Sequence, residues 1–298
     1  MQRAYIGRFA PSPSGPLHFG SLVAALGSYL DARHHGGHWL LRMEDIDPPR
    51  ERPGAARDIL RTLERFGFEW DGEVLYQSRR DGAYREQLER LLRHHHAFAC
   101  RCSRREVAAA AHNGTEGPLY PGTCRRDPPP QPRPGLAVRL CSDHPEAVAF
   151  HDRVCGPIAQ WIARDIGDFV IRRAEDGIFA YQLAVVIDDA GQGVNQVVRG
   201  ADLLLSTPRQ ILLQRLLGLP TPRYAHLPLV LGEDGRKLSK QSAARPVRPE
   251  RPLEALLAAY RFLGQRFPDA AQPATPEEFW PLALEQWEIA RVPVSGIN

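Results

Sequence analysis

The stretch that decides the fold spans residues 8–21 and reads Arg-Phe-Ala-Pro-Ser-Pro-Ser-Gly-Pro-Leu-His-Phe-Gly-Ser. Apolar residues at 4–9 predict a short strand before it, and apolar spacing at 22–30 predicts a helix after it. The N-terminus of a helix binds phosphate through its free N–H groups and its dipole. The stretch therefore predicts a phosphate site where a strand leads into a helix, next to His18 and Gly20.

Strand and helix patterns alternate beyond this stretch. Residues 39–42 read as a buried strand, and the spacing of Ile59, Leu63 and Phe66 predicts an amphipathic helix. A further helix is expected over residues 84–92. Strand, helix, strand, helix predicts an α/β fold built on a parallel sheet.

Residues 100–168 interrupt this pattern and are rich in proline and cysteine, which favours an insertion, with short strands near Val138 and Phe150. After it we expect a strand at 169–172 and a hairpin at Asp176-Gly177. A helix at 203–217 has Ser206 or Thr207 as its expected cap, and a strand is expected at 227–231. Two more helices are expected at 253–263 and 276–290.

The composition is that of a globular protein. Apolar residues make up 43% of the 298 residues and charged residues 24%, which excludes a chain disordered throughout. A net charge of +3 excludes a polybasic binder, so any nucleic-acid contact has to be a local patch. The sequence contains no apolar stretch of the length of a signal peptide or a spanning helix, and we expect a cytoplasmic protein without membrane contact.

The only two lysines of the chain stand three residues apart, in Lys237-Leu-Ser-Lys240-Gln241. Every other basic residue is arginine, whose planar fork does not replace a compact ammonium group. A mobile loop with two lysines stabilises a phosphate during transfer, although a solvated basic turn is the alternative for this motif alone.

Three cysteines form a second constellation, as Cys100-Arg-Cys102 and a later Cys124. Thiolates at such spacing predict a zinc site, and buried free cysteines are the alternative. Cys141 and Cys155 lack the spacing and are expected in the core.

Together, His-Phe-Gly-Ser at 18–21 and Lys-Leu-Ser-Lys-Gln at 237–241 resemble the two signature motifs of class I aminoacyl-tRNA synthetases. Ser21 stands where the first motif of that family has its second histidine. Further blocks at 40–50, 179–189 and 197–210 resemble the glutamate-specific branch. Only 57 residues of the sequence follow the lysine motif, so we expect no anticodon-binding region, and in this the sequence resembles the glutamyl-Q tRNA(Asp) synthetase family.

That resemblance implies a Rossmann-type catalytic core formed by residues 1–98 and 169–245. It implies a zinc-containing, tRNA-contacting insertion at 99–168 and a short helical C-terminal region at 246–298. The implied reaction activates L-glutamate with ATP and Mg²⁺ and transfers it to the queuosine base at the wobble position of tRNA(Asp). A short glutamyl-tRNA synthetase that charges the tRNA 3′ end, a nucleotidylyltransferase acting on a small metabolite and a zinc-containing RNA-binding relic are the alternatives.

The resemblance also assigns residues to roles. The catalytic residues are expected to be His18, Lys237 and Lys240, and ATP is expected to contact His18, Gly20, Ser21 and Lys240. Glutamate is expected to lie against Arg8, Phe9, Ala10, Pro11, Ser12, Glu44, Tyr181 and Arg199. A structural zinc ion is expected on Cys100, Cys102, Tyr120 and Cys124, with His112 as the other candidate for the fourth ligand.

The tRNA surface is harder to locate because arginine is spread along the chain. A cluster around the cysteines is either a phosphate-binding face or solvated charge, and it comprises Arg101, Arg104, Arg105, Arg125 and Arg126. We expect a monomer whose partners are ATP, L-glutamate and queuosine-containing tRNA(Asp).

We predict that Lys240→Ala lowers the rate of adenylate formation by about 10² to 10³, because it removes a cation from the developing charge of the transition state. ATP–pyrophosphate exchange measures the rate, and thermal unfolding should stay unchanged. Lys240→Arg should also be impaired. Exchange near the wild-type rate in Lys240→Ala would exclude Lys240 from the mechanism.

Overall fold

The computed structural model describes residues 4–110, 113–114, 117–129, 133–231 and 246–294. The strands are β1 Ile6–Phe9, β2 His38–Met43, β3 Leu75–Tyr76, β4 Ala97–Cys100, β5 Asn113–Gly114, β6 Gly117–Pro118, β7 Ala137–Leu140, β8 Val148–Asp152, β9 Gly156–Gln160, β10 Val170–Arg172, β11 Gln196–Gly200 and β12 Arg223–Leu227. The helices are α1 Phe19–His34, α2 Ala55–Arg65, α3 Asp81–Arg93, α4 Arg104–Ala110, α5 Thr123–Arg126, α6 Ile162–Asp165, α7 Tyr181–Gly191, α8 Thr207–Leu216, α9 Pro252–Phe262 and α10 Pro276–Gln286.

A parallel sheet forms the centre of the fold, as the alternation of strand and helix predicts. Strands β1, β2 and β3 pair in parallel, and so do β11 and β12. The two groups meet at β1, because the Asn195 N–H donates to the Ile6 carbonyl at 3.1 Å and the Asn195 amide oxygen accepts from the Ile6 N–H at 2.9 Å. The predicted α/β class with a parallel sheet is confirmed.

Among the described residues, the segment 99–168 takes part in three sheets, of which the smallest is the antiparallel pair of β5 and β6. Strand β7 pairs with β4 and β10 in a small antiparallel sheet. Strand β8 instead pairs in parallel with β12, and β9 pairs antiparallel with β8, so both extend the sheet of β11 and β12. This segment is therefore joined to the central sheet by backbone hydrogen bonds.

Helix α1 lies at the centre of the larger core. Leu22, Leu26 and Leu30 on α1 are fully buried together with Trp39 of β2. At its C-terminal end the buried Asp31 accepts hydrogen bonds from Tyr5, from the Arg153 guanidinium and, at 3.2 Å, from the Trp287 indole. One carboxylate thus ties the N-terminal segment, the β8–β9 turn and the C-terminal region to the same helix.

Most predicted elements are confirmed within one to four residues, but the strand predicted at 227–231 is wrong. The observed strand β12 ends at Leu227, because Pro228 has no N–H to donate to a strand ladder. Helix α8 begins at Thr207, later than the predicted 203, and its N-cap Ser206 makes no side-chain capping bond because residues 201–206 form a 3₁₀ turn. Cys141 and Cys155 are half-buried, so their expected place in the core is wrong.

No helix of the described ranges combines the length and the apolarity needed to cross a membrane.

We predict that Gly27→Ala destabilises the protein by about 1–3 kcal/mol, because a β-carbon there lies 2.6 Å from a methyl carbon of Leu227 and overpacks the core. Urea denaturation measures the change. Gly82→Ala in α3 is the matched control, since nothing lies within 4 Å of its added carbon, and it should be neutral or stabilising by up to about 1 kcal/mol. Equal effects of the two substitutions would refute the packing argument.

Candidate active site and cysteine cluster

A cavity of about 300 Å³ opens where β1 and β2 end and α7 begins. Ligands of open parallel sheets bind at the carboxyl ends of the strands, so this is the expected place for an active site. The walls are formed by Ser12, Pro13, Ser14, Glu44, Ile46, Asp47, Arg50, Glu51, Gln77, Arg173, Ile178, Phe179, Ala180 and Tyr181.

Glu44 is an acidic residue of the cavity wall whose side chain is 12% exposed. It follows β2 directly, and its N–H donates to the Pro11 carbonyl at 3.0 Å, which joins the two loops that line the cavity. Burial raises the pKa of Glu44 to about 7, against the lowering influence of Arg42 and Arg8. The carboxyl group therefore titrates near neutrality when nothing is bound.

Two buried arginines share one carboxylate behind the cavity. Arg8 Nε lies 3.1 Å from Asp189 Oδ1, and Arg42 Nη2 lies 2.6 Å from the same oxygen. Burial alone would raise the pKa of Asp189. The two guanidinium groups lower that pKa by more than burial raises it, so the net shift is downward. The arrangement leaves a surplus of positive charge that faces Glu44.

The neighbouring Asp188 holds Gln77 at the cavity wall. Its carboxylate accepts from Gln77 Nε2 at 2.8 Å, from the Tyr84 hydroxyl at 2.6 Å and from Arg80 Nε at 3.1 Å. The adjacent acids of α7 therefore serve two separate networks, one toward Arg8 and Arg42 and one toward α3.

Arg199 lies behind Tyr181. Its Nη1 donates to the Tyr181 hydroxyl oxygen at 3.4 Å, its Nη2 donates to Thr207 Oγ1 at 2.8 Å, and its Nε donates to His226 Nε2 at 3.1 Å. Like Arg8, it is buried and does not itself line the cavity.

The structure brings together only part of the predicted glutamate set. Ser12, Glu44 and Tyr181 line the cavity, and Pro11 contacts Glu44 through its carbonyl. Phe9 is a core residue whose ring stacks on Trp39 with centroids 6.1 Å apart, and the half-buried Ala10 follows it without lining the cavity.

His18 caps α1, the helix predicted to bind phosphate. Its Nδ1 accepts from the Ser21 N–H at 3.3 Å, and its Nε2 lies 3.1 Å from Ser21 Oγ. A β-carbon at Gly20 would stand 3.3 Å from the imidazole, so glycine leaves the room that this ring position needs. Lys237, Lys240 and Gln241 lie outside the described residues.

The three predicted cysteines converge beside β4. The sulfur atoms of Cys100, Cys102 and Cys124 all lie within 4.8 Å of one another, and no other cluster of potential ligands occurs in the described ranges. A tetrahedral zinc ion with sulfur at about 2.3 Å needs sulfurs about 3.8 Å apart. The cluster therefore fits a zinc ion after small movements.

Tyr120 completes this cluster. Its hydroxyl oxygen lies 3.4 Å from the Cys100 sulfur and 3.5 Å from the Cys102 sulfur, and it accepts from the Cys124 N–H at 2.7 Å. Arg139 covers the Tyr120 ring at 4.2 Å and donates from Nε to the Cys100 sulfur at 3.3 Å. His112 lies outside the described residues.

Three of the five clustered arginines already have acidic partners. Arg101 pairs with Asp127 at 2.8 Å, Arg104 with Glu175 at 3.4 Å and Arg125 with Asp168 at 3.3 Å. Arg105 and Arg126 are exposed and make no ion pair with any described residue. The positive charge of this face is therefore smaller than the arginine count indicates.

Sequence reasoning missed the buried polar and charged side chains behind the cavity, namely Arg42, Asp152, Asp188, Asp189 and His226. A usable signal was present for α7, where two acids follow the apolar run of 183–187 on a helix that has to be buried. No comparable signal marks Asp152 and His226, which meet only through the pairing of β8 with β12.

Comparison with known proteins decides the family. The family of class I tRNA synthetases (E and Q), catalytic domain, matches residues 6–254. A glutamyl-Q tRNA(Asp) synthetase of Dechloromonas aromatica is 57% identical over 98% of this chain and 97% of its own, and one of Chromobacterium violaceum is 56% identical over 99% and 97%. The chain belongs to the glutamyl-Q tRNA(Asp) synthetase family of class I tRNA synthetases.

Solved structures agree with this synthetase fold. A glutamate tRNA ligase from Elizabethkingia meningosepticum, solved with its amino acid, superposes with a TM-score of 0.77 at 24% identity, covering 98% of this chain. One from Elizabethkingia anophelis gives 0.76. The chain spans about two thirds of the length of these ligases, 66% and 67%. The expected class I synthetase core is confirmed.

We predict that Asp189→Asn destabilises this synthetase by about 3–5 kcal/mol, because it leaves two buried guanidinium groups without their shared anion. Chemical denaturation at pH 7 measures the loss. Asp81→Asn, which breaks an exposed pair with Arg85, is the control and should have no measurable effect. If the free energy of unfolding fell as little as in the control, solvent would have to reach Asp189 and its two arginine partners.

Proposed function

We propose that this protein activates L-glutamate with ATP and transfers the glutamyl group to the queuosine base at the wobble position of tRNA(Asp). The observation that carries the proposal is the identity of 57% over nearly the whole chain to a protein of that name. The cavity supports the binding of glutamate, since Glu44 lies in its wall and the buried Arg8 and Arg199 lie behind it. The reaction makes the protein an ATP-dependent ligase, and we assign it to the cytoplasm.

In the proposed substrate complex, Glu44 holds the glutamate ammonium group. Tyr181, backed by Arg199, and Arg8 supply the positive charge and the hydroxyl that carboxylates require, since arginine and charge-assisted bonds favour such acids. The 8–12 segment contributes Ser12 and the backbone of Phe9, Ala10 and Pro11. Glutamate has one ammonium group and two carboxylates, which match the carboxylate of Glu44 and the guanidinium groups of Arg8 and Arg199.

In the proposed activation step, an oxygen of the glutamate α-carboxylate attacks the α-phosphorus of ATP. The bond from that phosphorus to the bridging oxygen breaks, and pyrophosphate leaves with the electron pair. His18, Gly20 and Ser21 offer an imidazole and the N–H groups of the α1 N-terminus to the phosphates. Lys237 and Lys240 are proposed to stabilise the developing charge, and Mg²⁺, which class I synthetases use with ATP, neutralises phosphate oxygens when bound.

We further propose a structural zinc ion on Cys100, Cys102, Cys124 and Tyr120. The mutual distances of the three sulfurs and the Tyr120 oxygen near two of them support this set. Four protein ligands leave no open position, so the ion would order the segment and take no part in the reaction. We assign that segment, within 99–168, to tRNA contact, with Arg105 and Arg126 as the cations available for phosphate, and expect a monomeric enzyme.

The deciding experiment incubates the enzyme with labelled glutamate, ATP and tRNA that either carries or lacks queuosine, followed by nuclease digestion to locate the label. We expect label on the modified anticodon nucleoside only. Label on the 3′-terminal adenosine in both tRNAs would identify a short glutamyl-tRNA synthetase. ATP–pyrophosphate exchange that does not depend on glutamate would favour a nucleotidylyltransferase, and absence of exchange would favour an RNA-binding relic.

We predict an acid limb near pH 7 in kcat/KM for glutamate. The raised pKa of Glu44 means that its carboxyl group is protonated below about 7, and a neutral acid does not hold an ammonium ion. The value should fall about tenfold for each pH unit below that limb. Arg42, Arg8, Asp188 and Asp189 face Glu44. The pKa of Arg42 is raised by the acids around it and the pKa of Asp189 is lowered by the two guanidinium groups, so both shifts lead away from this range.

Initial rates of glutamate-dependent pyrophosphate exchange between pH 5.5 and 8.5 measure this limb. In Glu44→Gln the activity should be low and the limb absent. A limb that persists unchanged in Glu44→Gln would assign the titration to another group.

We predict about one equivalent of zinc in freshly purified protein, which Cys124→Ser should lose. The variant should transfer glutamate to tRNA poorly while still forming the adenylate, because Cys100, Cys102 and Cys124 do not line the cavity. Cys141→Ser, a half-buried cysteine outside the cluster, is the control and should keep its zinc. Elemental analysis below about half an equivalent in the wild type would refute the site, and an unchanged affinity in Tyr120→Phe would assign the fourth position to another ligand.

A further inference from the structure

A chain of buried hydrogen bonds runs from Asp152 to the wall of the cavity. The Asp152 carboxylate lies 2.6 Å from His226 Nδ1, His226 Nε2 lies 3.1 Å from Arg199 Nε, and Arg199 Nη1 lies 3.4 Å from the Tyr181 hydroxyl. The side chains of Asp152 and His226 have no solvent exposure at all. The four groups come from β8, β12, β11 and α7.

The chemistry of the donors fixes the direction of this chain. A guanidinium group only donates, so His226 Nε2 has to be the acceptor and carries no proton. The imidazole proton therefore resides on Nδ1 and is donated to Asp152. A histidine held in this tautomer is a neutral acceptor that accepts the Arg199 Nε–H without adding a second positive charge. Burial, together with the charge of Arg199, lowers the pKa of His226 to about 4, although Asp152 opposes this shift.

The other side of the guanidinium group is held as well. Arg199 Nη2 donates to Thr207 Oγ1 at 2.8 Å and to the Leu203 carbonyl at 3.4 Å. The Thr207 hydroxyl lies 3.2 Å from two acceptors, the same carbonyl and His226 Nε2. With Nε and Nη2 fixed, Nη1 is turned toward Tyr181.

At the cavity wall this arrangement determines what Tyr181 offers. Its oxygen accepts from Arg199, and no described residue accepts its O–H, which leaves that proton for a ligand in the cavity. A hydroxyl that is polarised by a guanidinium group is a strong donor to a carboxylate.

We propose that Asp152 and His226 are positioning residues for the amino-acid substrate, acting through Arg199 and Tyr181 on a substrate carboxylate. This inference rests on the proposed function, because it takes the ligand of Tyr181 to be glutamate. Neither Asp152 nor His226 lines the cavity, so their effect on the substrate is transmitted by hydrogen bonds alone.

Two substitutions at one position separate positioning from stability. In His226→Gln the amide oxygen replaces Nε2 as an acceptor for Arg199, whereas in His226→Asn the shorter amide reaches Asp152 but leaves Arg199 Nε without its acceptor. We expect His226→Asn to raise the KM for glutamate at least tenfold with the KM for ATP unchanged, in line with the loss of a hydrogen bond to a charged group. In His226→Gln the KM for glutamate should be much closer to the wild-type value than in His226→Asn.

The proposal would be overturned if the two variants had equal KM values for glutamate. It would also be overturned if the KM for ATP changed as much as the KM for glutamate, since His226 would then have only a structural role. Melting temperatures of both variants control for folding. Absence of glutamate-dependent exchange in the wild-type enzyme would refute the proposed function instead.

A measurement that does not depend on any substrate tests the same chain. Nitrogen-15 NMR of the wild-type protein at pH 7 should show His226 protonated at Nδ1 only, and a slowly exchanging Arg199 Nε–H that is lost in His226→Asn and kept in His226→Gln. Protonation at Nε2 would overturn the proposal whatever the enzyme activates.

Discussion

The carboxylate of Asp189 is the contact on which the rest of the site depends. It joins Arg8 at the end of β1 and Arg42 on β2 to helix α7, and so connects the first strand–helix units of the chain to an element some 150 residues later. Removing two guanidinium groups from water costs several kcal/mol each unless an anion and further donors or acceptors compensate. Gln192 supplies one such acceptor, 2.8 Å from Arg42 Nη1, and Glu44 lies 3.9 Å from Arg42 Nε. The strand ends are therefore held together by charges, and the cavity opens between them.

The charge arrangement also explains why an acid can sit at the inner wall without a strong ion pair of its own. Arg42 is shared mainly with Asp189, so it lowers the pKa of Glu44 too little to cancel the effect of burial. An acid whose charged form is under-stabilised gains more from a bound ammonium group than one already paired. In the proposed complex, the ammonium group of the substrate would stabilise the charged form of Glu44, and this would supply part of its binding energy.

The sequence predicted the elements better than the side chains that hold them. The parallel sheet, α1 and the cysteine cluster followed from local signals, namely apolar spacing, proline and glycine turns, and the close repetition of Cys100 and Cys102. The strand expected at 227–231 was wrong because an apolar run looks like a strand whether or not its residues can donate N–H groups, and Pro228 cannot. Phe9 lies in a block of expected ligand residues, yet its ring packs in the core against Trp39, while the side chain of Arg8, the residue before it on β1, contacts Asp189 behind the cavity.

The buried polar contacts were out of reach for a physical reason. Asp152 and His226 are 74 residues apart, and their contact exists only because β8 crosses from the cysteine-bearing segment to pair with β12. No local pattern encodes such a pairing, since each strand looks alike whichever neighbour it takes. The same pairing makes the 99–168 segment more than an appended unit. It supplies Asp152, the anion at one end of the hydrogen-bond chain to Tyr181, so a change in how this segment docks on the sheet would be felt at the wall of the cavity. In the proposed enzyme, the segment assigned to tRNA contact would thereby be connected to Tyr181, which faces the amino acid, through the hydrogen bonds of Asp152, His226 and Arg199.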